Sequence, residues 1–170
     1  QAADSAKESI DIAIYSIRYP ELVEKLNQKN NEGVKIRVVV PYANQARHFG
    51  EFFNSEFEIK TLGKSDDNFM HHKFILTDTK TDSPTLISGS ANFTDLQFNY
   101  DPGYMMKTFD KDIIAVYSEE FDRLWKGQFG FRKLFDKEYD ALSLKNKYSN
   151  GFFEVWMSPG YRMNSVKYRK

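Results

Sequence analysis

The chain has 170 residues, which is the size of one domain with at most a small appendage. Hydrophobic residues make up 41% and aromatic residues 16%, which excludes a globally disordered chain, because such chains are poor in aromatics. The 24 basic and 24 acidic side chains give a formal net charge of +0, which disfavours a globally basic nucleic-acid binder but not a local basic patch. The absence of cysteine excludes disulfides, thiolate metal sites and cysteine nucleophiles, and leaves the compartment open.

The N-terminal region bears on targeting. The apolar stretch at residues 10–17 is interrupted by Asp11 and is far shorter than the ~20 apolar residues of a membrane-spanning helix. Residues 1–8 contain no initiator Met, no basic segment and no apolar segment, so they do not resemble an intact signal peptide. We therefore expect no transmembrane segment and a soluble chain, either cytoplasmic or the mature form of a secreted protein. A fragment of a longer protein would begin in the same way.

The first third of the chain predicts a strand–helix–strand unit. Residues 10–17 are rich in β-branched and aromatic side chains, which is typical of a buried strand. A helix is expected to begin at Pro20, which suits a first helical turn, and to end at Gly33. Residues 34–40 then form a second strand, which Pro41 closes. Such a unit implies parallel strands covered by a helix.

The remainder of the chain predicts further strands and one strong helix. The helix at residues 111–126 has Asp110 available as its cap and apolar side chains along one side. The pattern predicts an α/β fold, with a mixed, mostly parallel sheet flanked by helices on both faces. We expect one domain over residues 1–150, followed by a strand and a basic tail over residues 151–170. The other predicted elements are strands at residues 57–62, 69–77, 85–88, 104–108 and 152–157, and weaker helices at residues 44–53 and 133–147.

The residues that carry chemistry lie in segments 71–78 and 89–92. Side chains two positions apart in a strand share a face, so His71 and Lys73 point the same way and His72 points the other way. By the same alternation, Asp78 lies on the opposite face from Lys73 if the strand stays regular.

A hairpin would bring the second segment onto the face that holds His71. If the hairpin closes with residues 78 and 85 paired, Lys73 falls opposite Ser90. His71 then falls opposite Asn92, with opposed Cβ atoms about 4.5–5.5 Å apart. A slip by an even number of residues would keep all four side chains on one face.

This predicted patch suits a phosphate group. Lys73 supplies a compact positive charge for the phosphate oxygens, and Ser90 and Asn92 supply neutral donors. His71 can be neutral at pH 7, and can then attack phosphorus or transfer a proton. Catalysis would combine a covalent step with electrostatic stabilisation, and would require no metal and no cofactor.

These residues resemble the HKD motif of the phospholipase D superfamily. The similarity also extends to residues 9–17, 33–41 and 117–126, which resemble the first strand, second strand and late helix of that family. The resemblance implies a two-step mechanism in which one His forms a covalent phosphohistidine and a second His protonates the leaving group and then activates water. It also implies that two HKD motifs face each other to build one site. The matching residues are His71, Lys73 and Asp78, followed by Gly89, Ser90 and Asn92.

The chain departs from that pattern in two ways. It contains one HKD motif, so the second His would come from a homodimer partner or from a second repeat. Residues 154–160 resemble the beginning of such a repeat. Family members of the nuclease type often carry a Glu after the second block that supports the catalytic His, and Asp101 is the nearest candidate here.

Structural roles compete with catalytic ones at several of these positions. His72 shares its strand face with Phe74 and Leu76, so we expect it to be packed or to support the site from behind. Strand parity favours a structural role for Asp78 over a catalytic one. Asp101 precedes Pro102, so an ordinary turn aspartate and a catalytic partner both remain open.

We therefore predict a metal-independent phosphodiesterase of the phospholipase D type that acts through a phosphohistidine. The substrate would be a phosphodiester, either nucleic acid, which is slightly favoured, or phospholipid. The alternative is a catalytically silent module that binds phosphate or phospholipid and keeps the same fold. A homodimer, or pairing with a second HKD repeat, is expected to complete the site.

Overall fold

The computed structural model describes residues 2–41, 57–62 and 70–127, together with the backbone of residues 148–149 and 154–155. In these residues the helices are α1 (Ala2–Ser5), α2 (Pro20–Asn31), α3 (Asp95–Asn99) and α4 (Lys111–Trp125). The strands are β1 (Ser9–Ile14), β2 (Ile17–Arg18), β3 (Lys35–Pro41), β4 (Glu58–Leu62), β5 (Lys73–Thr77), β6 (Thr85–Gly89), β7 (Phe93–Thr94), β8 (Met105–Thr108), β9 (Tyr148–Ser149) and β10 (Glu154–Val155).

Six of these strands form a central mixed sheet in the order β4-β3-β1-β5-β6-β8. Strands β1, β3 and β4 pair in parallel, whereas β5 is antiparallel to both β1 and β6, and β8 is antiparallel to β6. Strands β1, β3, β4 and β6 therefore point the same way, and β5 and β8 run against them. The predicted α/β class with a mixed, mostly parallel sheet is confirmed. Strand β2 also pairs with β7, and β9 pairs with β10.

Helices cover both faces of the sheet, as predicted. On one face, Val23 and Leu26 of α2 are buried in a cluster with Ile12 of β1. On the other face, Phe121 of α4 is buried in a second cluster with Phe74 of β5. Each strand can serve both clusters because successive side chains point to opposite faces. The two clusters fix the sheet between α2 and α4.

The ends of the two long helices follow the sequence signals. Pro20 is the first residue of α2, where the backbone N–H that proline lacks would have no hydrogen-bond partner within the helix. The Asp110 carboxylate caps α4 by accepting hydrogen bonds from the backbone N–H groups of Asp112 and Ile113, at 3.0 and 3.1 Å. In the part of the chain that the structure describes, no helix combines the length and the apolar character needed to cross a bilayer.

The first predicted strand is interrupted at Tyr15 and Ser16. Strand β1 ends at Ile14, and β2 resumes at Ile17 to pair with Phe93 in a separate two-stranded sheet. The interruption follows from hydrogen bonding, because the Ser16 carbonyl accepts from the Phe93 N–H at 3.0 Å and is thereby drawn away from the central sheet.

The strand predicted at residues 69–77 begins at Lys73, and residues 70–72 lie outside the ladder. The strands predicted at residues 57–62, 85–88 and 104–108 match β4, β6 and β8 closely. Within the strand predicted at residues 152–157, the structure describes the backbone of Glu154–Val155, which forms β10. The helices predicted at residues 44–53 and 133–147 lie outside the described residues.

The predicted hairpin register was wrong by one residue. Thr77, not Asp78, pairs with Thr85, and Phe74 pairs with Ser88. The reason is that Asp78 adopts a left-handed φ of 53° and leaves the strand. Its carboxylate accepts hydrogen bonds from the backbone N–H groups of Lys7, Glu8 and Ser9, so β5 ends one residue earlier than regular alternation predicts.

Candidate active site

His71 and Lys73 of the predicted HKD motif lie at one end of the central sheet, where β5 begins. Strand β5 begins at Lys73, which is paired with Ile14 at the end of β1. Strand β6, which runs parallel to β1, ends at Gly89 near the same end. Three segments therefore meet at this end of the sheet: the one after β1, the one after β6 and the one before β5. Their residues lie outside the paired strands of the central sheet.

His71 and Lys73 are in direct contact. The Lys73 Nζ lies 3.2 Å from the His71 Nδ1 and 3.0 Å from the His71 carbonyl oxygen. Lys73 is only 7% exposed, whereas the His71 side chain is exposed. Two of the three ammonium donors are thus directed to His71, which leaves one donor for a ligand.

Tyr15 forms one side of this pair. Its ring centroid lies 4.8 Å from that of His71, with the planes inclined by 57°. The Lys73 Nζ lies 5.4 Å from the centroid of the same ring, which is a cation–π distance. The sequence pattern did not indicate Tyr15 as a site residue, because it places Tyr15 inside the strand predicted at residues 10–17, whereas β1 ends at Ile14.

The environment sets the protonation of both groups. Partial desolvation of the ring lowers the pKa of His71 below 6.5, and the charges of Lys73 and then His72 lower it further. Burial lowers the pKa of Lys73 from 10.5 to about 8. Near pH 7 the imidazole is therefore neutral and the ammonium remains charged. Because an ammonium can only donate, the proton of the neutral His71 ring lies on Nε2 in this arrangement.

The Gly89–Asn92 segment is fixed by short backbone contacts. A Cβ on Gly89 would lie 2.1 Å from the carbonyl oxygen of Tyr104, so only glycine fits there. The Ser90 hydroxyl accepts a hydrogen bond from the Tyr104 N–H at 3.1 Å. The Asn92 Oδ1 accepts from the Ser16 N–H at 3.2 Å, so the amide nitrogen is the part of that side chain left to donate.

His72 serves the opposite face, as strand parity predicted. Its Nε2 lies 3.1 Å from Glu120 of α4, and its ring meets Phe74 edge-on at 5.7 Å. Glu120 is 1% exposed and also accepts a hydrogen bond from Arg123, which is likewise buried. His72 thus anchors the chain between the two reactive residues to α4. No local pattern predicts this partner, since Glu120 lies 48 residues away along the chain.

Asp78 and Asp101 are not brought into contact with His71. Asp78 lies beyond the far end of β5, where its three backbone hydrogen bonds hold the chain before β1. This position favours the structural role for Asp78 over the catalytic one. Asp101 is exposed after α3, and its backbone N–H donates to the Leu96 carbonyl at 3.0 Å, as in an ordinary turn.

The described residues contain no group of three or more His, Cys, Asp or Glu side chains arranged to hold a metal ion. The chemistry at this end of the sheet is that of one imidazole, one ammonium and neutral donors. A neutral imidazole beside a charged lysine, at the open end of an α/β sheet, is an arrangement that can accept an anionic group.

Comparison with known proteins identifies the family of the chain. Residues 1–125 match the family model described as the PLD-like domain of cardiolipin synthase, so the chain belongs to the phospholipase D superfamily. It is 26% identical over 123 residues to the mitochondrial cardiolipin hydrolase of Homo sapiens, covering 72% of this chain and 47% of that protein. The match to the protein of the same name from Danio rerio is 25% over 150 residues, covering 86% and 59%. The chain spans about half the length of the human relative.

Two solved structures share the fold. NucT from Helicobacter pylori superposes with a TM-score of 0.62 at 20% identity, covering 76% of this chain and 86% of that chain. Nuc from Salmonella typhimurium, a phospholipase D family member, superposes with a TM-score of 0.64 at 23% identity, covering 74% and 83%.

Proposed function

We propose that this chain cleaves phosphodiesters, with His71 as nucleophile or acid/base and Lys73 as the cation that holds the phosphate. The observation that carries the proposal is the 3.2 Å contact between these two side chains at the open end of the sheet. Membership of the phospholipase D superfamily supports it. Ser90 and Asn92 are proposed as further phosphate contacts, and no metal or other cofactor is assigned a role.

The proposed reaction has two steps. An imidazole nitrogen attacks phosphorus, a P–N bond forms, and the P–O bond to the leaving group breaks while a second imidazole protonates the leaving oxygen. That second imidazole then takes a proton from water, whose oxygen attacks phosphorus and breaks the P–N bond. Lys73 offsets the negative charge of the phosphate oxygens in both steps.

Substrate binding is expected to change the contact between Lys73 and His71. In the free site the ammonium holds the proton of the neutral His71 ring on Nε2. Protonation of a leaving group would instead require the imidazolium form, which carries a proton on both ring nitrogens. Attack through Nε2 requires that nitrogen to be unprotonated. We therefore expect the ammonium to shift from Nδ1 towards the phosphate when His71 acts as the nucleophile.

A second imidazole has to come from outside the described site. One imidazole cannot attack phosphorus and protonate the leaving oxygen in the same step, and His72 is committed to Glu120. We propose that a second copy of the chain, or a second HKD repeat, supplies it. Leu96, Tyr100 and Tyr104, which are 58, 75 and 69% exposed, flank the Ser90–Asn92 segment and suit burial against such a partner.

Two substrate classes fit the site. We place nucleic acid first, because the single HKD motif resembles the nuclease branch of the family. We place phospholipid a close second, because the chain is similar to cardiolipin hydrolases. A neutral net charge argues against tight binding to a long polyanion, whereas a single phosphodiester needs no extended basic surface. The two classes share the phosphodiester, so activity on matched substrates separates them.

The first experiment is a substrate panel in excess chelator. It comprises a bis-nitrophenyl phosphodiester, single- and double-stranded DNA, phosphatidylcholine and cardiolipin, with His71→Ala and the exposed-residue control Lys80→Met. We expect turnover by the wild type and the control, and a loss of several orders of magnitude in His71→Ala. Binding without turnover would instead support the silent phosphate-binding module. Complete loss of rate in chelator, restored by metal, would contradict the metal-independent mechanism.

Sharing of the site is tested by mixing chains. Inactive His71→Ala chains are mixed with wild-type chains, and activity is followed against the mutant fraction. If each copy supplies one of the two imidazoles of a site, a heterodimer of mutant and wild-type chains is inactive. Activity then falls faster than linearly with the mutant fraction. A linear fall, or full activity in a chain that light scattering shows to be monomeric, would contradict a shared site built by two copies.

A further inference from the structure

Tyr15 contacts both reactive side chains of the site. Its ring lies 4.8 Å from the His71 ring and 5.4 Å from the Lys73 ammonium, measured to the centroids of the rings. Its backbone N–H donates to the His72 carbonyl at 3.0 Å, which ties the tyrosine to the chain between those two residues.

The sheet places Tyr15 in this position. Ile14 is paired with Lys73 in the antiparallel contact between β1 and β5, so the residue after Ile14 comes next to residues 71–72. Ser16 then binds the second motif segment, with its N–H bonded to Asn92 and its carbonyl to Phe93. The turn at Tyr15 and Ser16 thus joins the His-x-Lys segment to the Gly-Ser-x-Asn segment.

We infer that Tyr15 is a positioning residue of the proposed phosphodiesterase site, whose ring holds the His71 imidazole and the Lys73 ammonium in their reactive arrangement. The inference rests on the proposed function for its catalytic consequence. The physical role of the ring has two parts: its face attracts the ammonium, and its surface limits rotation of the imidazole.

The attraction matters because Lys73 is buried. A buried ammonium loses hydration, and the lowered pKa of Lys73 reflects that loss. The electron-rich face of a tyrosine replaces part of the lost hydration without adding a negative charge that would repel a phosphate. An acidic residue at position 15 would hold the ammonium more strongly but would compete with the substrate.

The restriction matters because His71 is exposed. An exposed imidazole samples several rotamers, and a misplacement of about 1 Å can cost about 100-fold in rate. Contacts with the Tyr15 ring and with the Lys73 Nζ at 3.2 Å restrict the orientations of the imidazole. A non-aromatic residue of similar size would fill the space but would lack the attractive face.

The test compares Tyr15→Phe, which keeps the ring, with Tyr15→Leu, which removes it. The matched control is Tyr117→Leu, because Tyr117 packs edge-on against Phe74 on the opposite face of the sheet. We expect kcat/KM to fall about tenfold in Tyr15→Leu, mainly through kcat, and to stay within about threefold of wild type in Tyr15→Phe. Tyr117→Leu should lower the melting temperature and leave kcat/KM per folded molecule unchanged.

A second readout does not depend on activity. NMR titration of the His71 ring, assigned with His71→Ala, should show its pKa rising towards 6.5 in Tyr15→Leu, because the imidazole becomes better hydrated and less tightly held beside Lys73. The same pKa should be unchanged in Tyr15→Phe and in Tyr117→Leu.

The outcomes separate this inference from the proposed function. If the His71 titration is altered in Tyr15→Leu but the wild type cleaves none of the panel substrates, the positioning role is supported and the phosphodiesterase is contradicted. Normal titration and normal kcat in folded Tyr15→Leu would overturn the positioning role. A loss in Tyr15→Phe as large as that in Tyr15→Leu would also overturn it, because the hydroxyl and not the ring would then be responsible.

Discussion

Replacing Lys73 with Met is expected to abolish turnover and, at neutral pH, to stabilise the fold. The ammonium is proposed to hold the phosphate, but it is buried with an exposed His71 as its hydrogen-bond partner. Methionine has a similar length and no charge, so it can occupy the same space without loss of hydration. Water can replace the hydrogen bonds at the exposed His71 side chain.

The size of the stabilisation follows from the pKa of Lys73. Lowering that pKa from 10.5 to about 8, at 1.36 kcal/mol per pH unit, corresponds to a penalty of about 3 kcal/mol. Partial hydration at the open end of the sheet reduces the penalty to about 1–2 kcal/mol. For a domain of this size the Met variant should therefore melt about 3–6 °C higher than the wild type at pH 7.

The stability difference between the wild type and Lys73→Met is expected to depend on pH. Below pH 8 the lysine is charged in the folded and the unfolded chain, so the full penalty applies. Between pH 8 and 10.5 the unfolded chain binds more protons at this group than the folded chain, so the stability of the wild type rises relative to that of the variant. The difference in melting temperature should shrink across that range and vanish above it.

The assay is thermal melting of wild type, Lys73→Met and the control Lys80→Met between pH 7 and 10.5, with turnover measured at pH 7. Lys80 is exposed, so its replacement should change the free energy of unfolding by less than about 0.5 kcal/mol. A Lys73→Met chain that melts below the wild type at every pH would refute the reasoning on burial. A Lys73→Met chain with normal turnover would refute the phosphate-binding role.

Three further outcomes follow from the same geometry. The kcat/KM profile should fall on the acid side as the nucleophilic His71 gains a proton, at a pKa below 6.5. It should fall on the basic side as the second imidazole loses the proton that it donates and, near pH 8, as Lys73 loses its own; a rate still rising at pH 9 would contradict this assignment. His72→Ala should lower the free energy of unfolding by about 1–3 kcal/mol, because it leaves the buried Glu120 short of a donor, while kcat falls far less than in His71→Ala. Asp78→Ala should cost about 2–4 kcal/mol in urea unfolding through the loss of its backbone hydrogen bonds, and a purely catalytic defect with unchanged stability would argue that Asp78 acts in the site.

Much of the fold and the central pair of the site could be predicted from local sequence. Strand alternation places His71 and Lys73 on one face and His72 on the other, and the observed contacts follow that division. The strand–helix–strand unit and the capped helix α4 follow from Pro20 and Asp110. These features depend on residues within about one turn or one strand of each other, so the sequence alone determines them.

The hairpin register could not be predicted in this way. It is set by Asp78, whose carboxylate binds backbone N–H groups about 70 residues earlier and whose left-handed φ ends β5 at Thr77. Local patterning favours a regular strand through Asp78 and gives no indication of a partner at residues 7–9. The one-residue error has this cause.

Tertiary structure also decided which side chains surround the reactive pair. The spacing of the motif specifies His71 and Lys73, but the contact with Tyr15 arises because β1 lies beside β5 in the sheet. The anchor of His72 arises because α4 packs across the opposite face and brings Glu120 under the strand. Side-chain direction is set by the backbone within a few residues, whereas neighbours across a sheet are chosen by the packing of the whole chain, which no local pattern contains.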